Sequence, residues 1–224
     1  EASYRAGLVK GLKEKITGFQ ADEVVYMSVG DGTTSEGEWW EALNTACNLK
    51  LPVIFLVEDN GYAISTPVEV GTAGGDISKL VAGFPGLFIQ NCDGTDVLES
   101  YATFKKAVEY CRERKGPAFV HAKVVRPYSH SLSDDEKLYR IPEELEADAA
   151  TDPIKKFAEL LMTDGVASSE QLAELRKEVD AEVNKASDIA VDTPQPAAET
   201  ALRNVFSPDV DPTDRLIFDT EDGA

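Results

Sequence analysis

Short apolar runs alternate with amphipathic stretches along the first 125 residues of the chain. Four apolar runs predict strands of a buried parallel sheet, at residues 24–29, 52–57, 87–90 and 118–125. Three stretches with apolar residues at helical spacing predict helices, at residues 4–15, 36–49 and 97–114. Asp76 is placed to cap a further short helix that ends near Val81. The alternation predicts an α/β fold, a mostly parallel sheet covered by helices on both faces.

The pattern changes after Arg126, where a polar loop over residues 127–138 replaces the strands. Helices are then expected at residues 153–162, 168–189 and 197–205. The Pro- and Asp-rich end is typical of a linker or tail. We therefore expect three parts: an α/β domain at 1–145, a helical C-terminal region at 146–206 and a tail at 207–224.

Composition limits the class of protein. The 224 residues are 42% hydrophobic, which is enough for a core, and no apolar run approaches the roughly 18 residues of a membrane span. The first residues lack the apolar stretch of a signal peptide and an initiator Met. We expect the chain to be a piece of a longer protein that does not enter a membrane.

The net charge of −19 is concentrated in the second half of the chain. Residues 131–224 carry 24 acidic and 9 basic side chains, whereas residues 1–130 carry 17 and 13. Nucleic-acid binding requires a basic surface, so the charge argues against that class of function. A solvated surface is the favoured interpretation of the acidic half.

The three cysteines, Cys47, Cys92 and Cys111, form no CxxC pair. Their odd number argues against a disulfide framework and favours small core residues in a reducing compartment. We expect a cytoplasmic location, or the mitochondrial matrix in a eukaryote.

Two polar segments follow neighbouring predicted strands. Gly30-Asp31-Gly32 ends the first strand, and Asn60 follows the second, 28 positions after Gly32. Because parallel strands end at one edge of a sheet, Asp31 and Asn60 should lie together where open α/β sheets bind ligands. Their oxygens suit Mg²⁺, and a helix beginning at once after the glycines would offer N–H groups to a phosphate. Either segment alone is more typical of a turn, but together they favour a metal and diphosphate site.

The segment GDG, 27 residues and then Asn resembles the thiamine diphosphate signature. The stretch GDGTTSEGEWWEALNTACNLKLPVIFLVEDNGYAISTP is similar to the alpha subunit of the decarboxylating component of 2-oxo acid dehydrogenases. This is the branched-chain and pyruvate dehydrogenase family. The resemblance extends from Gly7 to Phe206 and is strongest over residues 30–67 and 126–140. It implies a thiamine diphosphate-binding fold with a helical C-terminal extension.

The resemblance implies a set of site residues. Asp31 and Asn60, with the backbone carbonyl of Tyr62, would bind Mg²⁺, and the backbone N–H groups of Gly32 and Thr33 would face the diphosphate. The residues implied to contact the cofactor are Gly30, Asp31, Gly32, Thr33, Asn60, Tyr62, Arg126 and His130. The family usually has Asn-Asn at Asp59-Asn60, and the second position is the ligand.

Arg126 and His130 belong to the segment RPYSHSLSDDEKLYR. An arginine offers fixed donors to phosphate oxygens, and a histidine can shuttle a proton. The resemblance implies that both contact the diphosphate and the reacting centre, and that His130 assists reductive acylation. Ser131 matches a serine that mitochondrial members phosphorylate, but an unmodified loop serine is the favoured interpretation. His121, in a predicted strand, is expected to be structural.

The implied activity is oxidative decarboxylation of a 2-oxo acid with acyl transfer to a lipoyl group. Partners would be a beta subunit or a fused beta part, which supplies the activating Glu, and a lipoyl acyltransferase, in a hetero-oligomer. The family's N-terminal diphosphate-binding stretch is not in this sequence, so the chain alone should be inactive. Glu58 favours pyruvate and the loop HSLSDD favours branched-chain substrates such as 2-oxoisovalerate. A non-catalytic α/β phosphate-binding or interaction module is the alternative.

Overall fold

The computed structural model describes residues 22–203 of the chain. The helix expected at residues 4–15 and the tail expected at residues 207–224 lie outside this range. The chain divides into two compact units, and the division falls between Lys156 and Phe157 in the sequence. The predicted boundary between residues 145 and 146 stays a prediction. Each unit is described by itself.

The first unit contains a four-stranded sheet in which every pairing is parallel. Its strands are β1 (Val25–Gly30), β2 (Val53–Asp59), β5 (Phe88–Asp93) and β6 (Ala118–Lys123). They stand in the order β1-β2-β6-β5. The apolar runs therefore predicted all four strands, although the strands β1, β2 and β5 extend one to three residues further toward the polar end than expected.

Side chains of β2 alternate between two apolar clusters, which shows that the sheet is covered on both faces. Val53, Phe55 and Val57 belong to one cluster, whereas Ile54 and Leu56 belong to the other. Buried apolar residues on both faces are the reason why the strand reads as an uninterrupted apolar run.

Three principal helices of the first unit are α1 (Gly37–Asn48), α4 (Val97–Arg112) and α5 (Pro142–Ala150). Helix α1 buries Trp39 and Leu43 against the first face of the sheet, and α4 buries Ala107 and Cys111 against the second. Between β2 and β5 lie two four-residue helices, α2 (Val68–Gly71) and α3 (Ile77–Leu80). Asp76 caps α3 as predicted, since its side chain accepts from the N–H of Ser78.

The residues after Gly30 form a 3-10 turn over Asp31–Ser35, and α1 begins only at Gly37. The expectation that a helix begins at once after the glycines is therefore wrong for the α-helix. The hairpin of β3 (Tyr62–Ala63) and β4 (Thr66–Pro67) was not predicted. Its strands are too short to leave a two-residue alternation in the sequence.

Helix α6 (Pro153–Thr163) crosses the boundary between the units, and α7 (Ser169–Asp192) belongs to the second unit. A capping box of Ser168 and Gln171 begins α7, at the predicted start of this helix. A 3-10 turn at Ala198–Leu202 stands where a last helix was expected. Within residues 22–203, no helix is both long and apolar enough to cross a membrane.

Candidate functional site

Asp31 is a buried carboxylate at the end of β1. It is 3% exposed, and its Oδ1 atom has no hydrogen-bond partner within residues 22–203. Burial and the nearby carboxylate of Asp59 raise the pKa of Asp31, whereas the backbone N–H groups of Asp31 and Asn60 oppose that rise. A buried charged oxygen without a partner is costly, so this atom is suited to a bound cation.

Asn60 follows β2 directly and is half-buried. Its Oδ1 atom accepts a hydrogen bond from the N–H of Tyr62 at 3.1 Å, which leaves one lone pair of that oxygen for another partner. The backbone N–H of Asn60 interacts with the Asp31 carboxylate. The structure thus brings Asn60 against Asp31, the residue that the sequence predicted as its neighbour.

Gly32 lies so close to the β3–β4 hairpin that a side chain would not fit. A Cβ atom at position 32 would stand 2.6 Å from the Cβ of Ala63. Such a distance is well inside the van der Waals contact of two carbons. Gly30, by contrast, would have nothing within 4 Å of an added Cβ. The lack of a side chain at Gly32 therefore allows the hairpin to pack against the turn, whereas packing does not require a glycine at position 30.

Thr33 is exposed in the same 3-10 turn. Its carbonyl accepts from the N–H of Glu36 at 3.1 Å. The N–H of Gly32 stands at the start of the turn, where no preceding carbonyl of a 3-10 turn accepts from it, whereas the N–H of Thr33 lies three residues after Gly30, the spacing of a 3-10 hydrogen bond. The N–H of Gly32 can therefore donate to a ligand.

Tyr62 lies between two arginines. The guanidinium carbons of Arg126 and Arg140 stand 5.6 Å and 5.4 Å from the centre of its ring, within the range of cation–π attraction. Its hydroxyl donates to Glu144 Oε2 at 3.0 Å. Pro67, the strand partner of Tyr62, has no N–H and cannot donate to the Tyr62 carbonyl.

Arg126 brings positive charge to the same edge of the sheet. Its Nη1 donates to the carbonyl of Ile64 at 2.8 Å, and its Nη2 donates to the hydroxyl of Tyr139 at 2.7 Å. Its Nε is buried and has no partner within the described part of the chain. The two terminal nitrogens therefore hold the hairpin and the loop, and Nε is a further donor that no described residue engages.

His130 is exposed on the loop after β6. Its backbone N–H donates to Asp134 Oδ2 at 2.9 Å, and the hydroxyl of Tyr139 donates to the same oxygen at 2.6 Å. The imidazole forms no hydrogen bond or ion pair with residues 22–203. The loop is thus anchored through Asp134 and Tyr139 to Arg126, and the ring of His130 remains available.

Arg140 is buried at the end of this loop and pairs with three carboxylates. Its Nε lies 2.9 Å from Glu144, its Nη1 lies 3.2 Å from Glu136, and its Nη2 contacts Asp148. Burial lowers the pKa of Arg140, but Asp148 and Glu144 outweigh it and raise the pKa overall. Nη1 also donates to the carbonyl of Arg126 at 3.0 Å, which connects helix α5 to the site.

A cluster around Asp59 was not recognised from the sequence. Asp59 is 1% exposed and contacts His121 and Lys123 of β6. Burial alone would raise the pKa of Asp59, but hydrogen bonds from His121 and Lys123 lower it to about 2. The sequence shows that Asp59, His121 and Lys123 lie near the ends of two predicted strands, but it does not show that these strands are neighbours or in what register they pair.

Within residues 22–203 no group of three or more His, Cys, Asp or Glu side chains is arranged to hold a metal. The predicted magnesium ligands include only one such residue, Asp31, beside an amide and a backbone carbonyl. The metal remains a proposal.

Known proteins resemble this chain over most of its length. The human mitochondrial pyruvate dehydrogenase E1 component subunit alpha, somatic form, is 35% identical over 189 residues, 84% of this chain and 48% of the human protein. The 2-oxoisovalerate dehydrogenase subunit alpha of Bacillus subtilis (strain 168) is 35% identical over 188 residues, 83% of this chain and 56% of that protein. The chain spans about half the length of the curated relatives that it matches.

A relative from Porphyra purpurea, the pyruvate dehydrogenase E1 component subunit alpha, is 36% identical over 180 residues, 80% of this chain and 51% of that protein. The model of the family described as the dehydrogenase E1 component matches residues 5–199, which include the whole of the site described above. The chain therefore belongs to the dehydrogenase E1 component family.

Proposed function

We propose that this chain is the cofactor-binding part of a 2-oxo acid dehydrogenase that decarboxylates its substrate with thiamine diphosphate and Mg²⁺. Membership of the dehydrogenase E1 component family supports the reaction class, as do relatives named for pyruvate and 2-oxoisovalerate dehydrogenases. The observation that carries the site is the Oδ1 atom of Asp31, buried without a partner beside Asn60.

The residues present fit a cation bound to a diphosphate. Asp31 offers a buried carboxylate oxygen, and Asn60 and the Tyr62 carbonyl offer neutral oxygens, which are the ligand types that Mg²⁺ takes. The missing side chain at Gly32 allows close approach of the backbone. Gly30, Gly32 and Thr33 would hold the phosphates through the backbone, with the Nε of Arg126 as a cationic donor.

When bound, thiamine diphosphate supplies the carbon nucleophile for decarboxylation. The described residues of this chain bind and orient the phosphate end, and Arg126 adds positive charge that favours the diphosphate. The imidazole of His130, which is exposed and without a hydrogen-bond partner in the described range, is available to hold or donate a proton during acyl transfer.

The rest of the enzyme would come from partners. Because the family comprises E1 components and the relatives are named alpha subunits, we propose a beta subunit or beta part that completes the site. A lipoyl acyltransferase would receive the acyl group. We further propose a cytoplasmic location, or the mitochondrial matrix in a eukaryote, because relatives of both the mitochondrial and the bacterial kind match.

Either pyruvate or a branched-chain 2-oxo acid is consistent with the relatives. Steady-state rates of the complete enzyme on pyruvate and on 2-oxoisovalerate, with an artificial electron acceptor, would assign the substrate. A preference of more than about tenfold in kcat/KM corresponds to about 1.4 kcal/mol in transition-state binding and would decide between them.

The cofactor assignment is tested by calorimetry of the complete alpha and beta assembly with thiamine diphosphate and Mg²⁺. Asp31→Ala should abolish or greatly weaken binding, because it removes the only carboxylate among the proposed ligands. Asp93→Ala is the control, since Asp93 ends strand β5, which lies at the opposite edge of the same sheet from β1. Equal affinity of the wild type and Asp31→Ala would contradict the proposal, and binding that does not depend on Mg²⁺ would favour the non-catalytic phosphate-binding module.

A further inference from the structure

Asp59 immediately precedes the proposed ligand Asn60, and both of its carboxylate oxygens are occupied by protein. Oδ1 accepts from the N–H of Gly61 at 2.9 Å. Oδ2 lies 2.7 Å from Nε2 of His121 and also accepts from the ammonium of Lys123. With both oxygens engaged in this way, Asp59 is not positioned as a ligand of the cation.

The donors to Asp59 come from one neighbouring strand. His121 and Lys123 are two positions apart on β6, so their side chains project from the same face of the sheet. Lys123 stands opposite Asp59 in the register of β2 and β6. Beyond the strands, the N–H of Val124 donates to the carbonyl of Asp59 at 2.9 Å. Asp59 is therefore fixed to β6 through both its backbone and its side chain.

This attachment determines where the side chain of Asn60 can lie. The bond from Gly61 to Asp59 and the bond from Tyr62 to Asn60 form two successive turns in which a side chain accepts from the backbone two residues ahead. The carbonyl of Gly61 in turn accepts from Val68 at 2.8 Å. Asn60 thus occupies a short segment that is held at both ends.

The two side chains that hold Asp59 differ in exposure. Lys123, whose side chain is 57% exposed, contacts Oδ2 of Asp59. His121 holds the same carboxylate from inside the protein, where it is 3% exposed. Its other ring nitrogen, Nδ1, faces Asp76 at 3.6 Å.

We propose that Asp59, held by His121 and Lys123, is a positioning residue that sets the orientation of Asn60 toward the cation of the diphosphate site. This inference rests on the proposed function, because it assumes that Asn60 is a ligand. Outer partners of metal ligands commonly act in this way, and their loss typically costs about 10- to 100-fold in metal affinity.

The test uses the complete alpha and beta assembly and measures the affinity for thiamine diphosphate at saturating Mg²⁺ by calorimetry. Asp59→Ala and Lys123→Met are the variants, since the first removes both carboxylate oxygens and the second changes a side chain that is 57% exposed. Each should weaken binding by about 10- to 100-fold. The double variant should weaken it no more than Asp59→Ala alone, because the two side chains act as a unit.

Asp93→Ala is the control. Asp93 ends β5, accepts from the N–H of Thr95 at 2.8 Å and pairs with a lysine, Lys156, at 3.7 Å. It has a turn of the same kind as Asp59 but does not adjoin a proposed ligand. The affinity of Asp93→Ala for the cofactor should remain within about threefold of the wild type, well below the effect of a metal's outer partner. Thermal unfolding without cofactor should show the larger loss of stability for Asp59→Ala, because the Asp59 side chain is 1% exposed and that of Asp93 is 50% exposed. The affinities are therefore compared at a temperature at which both variants are folded.

Each outcome leads to a separate conclusion. If Asp31→Ala loses binding while Asp59→Ala and Lys123→Met bind as the wild type does, the positioning role is overturned and the proposed function stands. If Asp93→Ala loses as much affinity as Asp59→Ala, the role of Asp59 is only structural and the inference is likewise overturned. If the wild type itself does not bind the cofactor, the proposed function fails, and the inference fails with it.

Discussion

At the scale of single residues, close packing explains why position 32 is a glycine. Gly32→Ala would place a Cβ 2.6 Å from the Cβ of Ala63, and overpacking of this kind typically costs about 1–3 kcal/mol in the free energy of unfolding. Urea unfolding measures the change. Gly37→Ala is the control, because an added Cβ there meets nothing within 4 Å. Adding Ala63→Gly to Gly32→Ala should recover part of the loss, and an unchanged stability of Gly32→Ala would contradict the packing argument.

Cys111 supplies a pH-dependent prediction at the same scale. The thiol is fully buried and lies 3.6 Å from the carbonyl of Val53, and burial raises its pKa from 9.0 to about 11. Because the folded state holds the proton more tightly, the thiol's contribution to stability is complete below pH 9 and is lost as the pH rises through 11. The free energy of unfolding, measured with urea between pH 8 and pH 11, should therefore fall less steeply with pH for Cys111→Ala than for the wild type. Identical slopes would contradict this prediction.

Single residues also show how far the sequence predicts the site. Asp31 and Asn60 were predictable as neighbours, because both follow short apolar runs that are typical of buried parallel strands. The engagement of Arg126 with Ile64 and Tyr139 was not predictable, since it depends on a hairpin of four residues and on the path of a polar loop. The partners of Asp59 were likewise hidden, because a sequence does not reveal the register of β2 and β6.

At the scale of elements, the N-cap of α4 provides a test. The side chain of Asp96 accepts from the N–H groups of Leu98 and Glu99, each at 2.9 Å. Asp96→Ala should lower the free energy of unfolding by about 0.5–2 kcal/mol, because two donors of the first turn lose their acceptor. Asp96→Asn retains an acceptor and should remain close to the wild type in the same thermal unfolding experiment. Equal losses in both variants would indicate that the charge, and not the cap, stabilises α4.

Helix α5 depends on a buried arginine. Arg140→Ala would leave Glu136, Glu144 and Asp148 without their shared cation, and removing one partner of a buried ion pair typically costs about 3–5 kcal/mol. Urea unfolding provides the measure. Arg112→Ala serves as the comparison, because its pair with Asp22 is exposed and long at 3.7 Å and should contribute less than about 1 kcal/mol. Similar losses in the two variants would exclude Arg140 as the main support of α5.

The same arginine explains why α5 was missed in the sequence. The segment Pro142–Ala150 buries no residue, so it leaves no apolar stripe at helical spacing. Proline at its first position is compatible with a helix start, but polar contacts to Arg140 are what hold it. Helices α1 and α4, which bury apolar residues against the sheet, were predicted to within two residues at each end.

At the scale of the whole molecule, the charge of −19 should make stability depend on salt. Repulsion among the acidic side chains opposes the compact state, and salt screens it over a Debye length of about 10 Å at 0.1 M. Raising NaCl from about 0.05 M to 0.5 M should raise the Tm. For a chain of this size, each kcal/mol gained in the free energy of unfolding corresponds to a rise of about 2–4 °C. The exposed helix α7 offers a control variant, Glu178→Gln with Glu182→Gln and Asp188→Asn, whose Tm should respond less. A Tm that falls with salt would show that attractive ion pairs prevail.

The order of the strands has a consequence for the route by which the chain folds. The paired strands β1 and β2 are connected by a single α-helix, and so are β5 and β6. The pairing of β2 with β6, in contrast, brings together Asp59 and His121, which are 62 residues apart. Closing a longer loop costs more chain entropy and slows formation of the contacts it brings together. We expect the two halves of the sheet to form first and to join last along β2 and β6. The attachment of Asp59 to β6, which holds the proposed ligand Asn60, forms only in that final step. During refolding, the recovery of cofactor binding should therefore lag behind the recovery of the helical signal in circular dichroism.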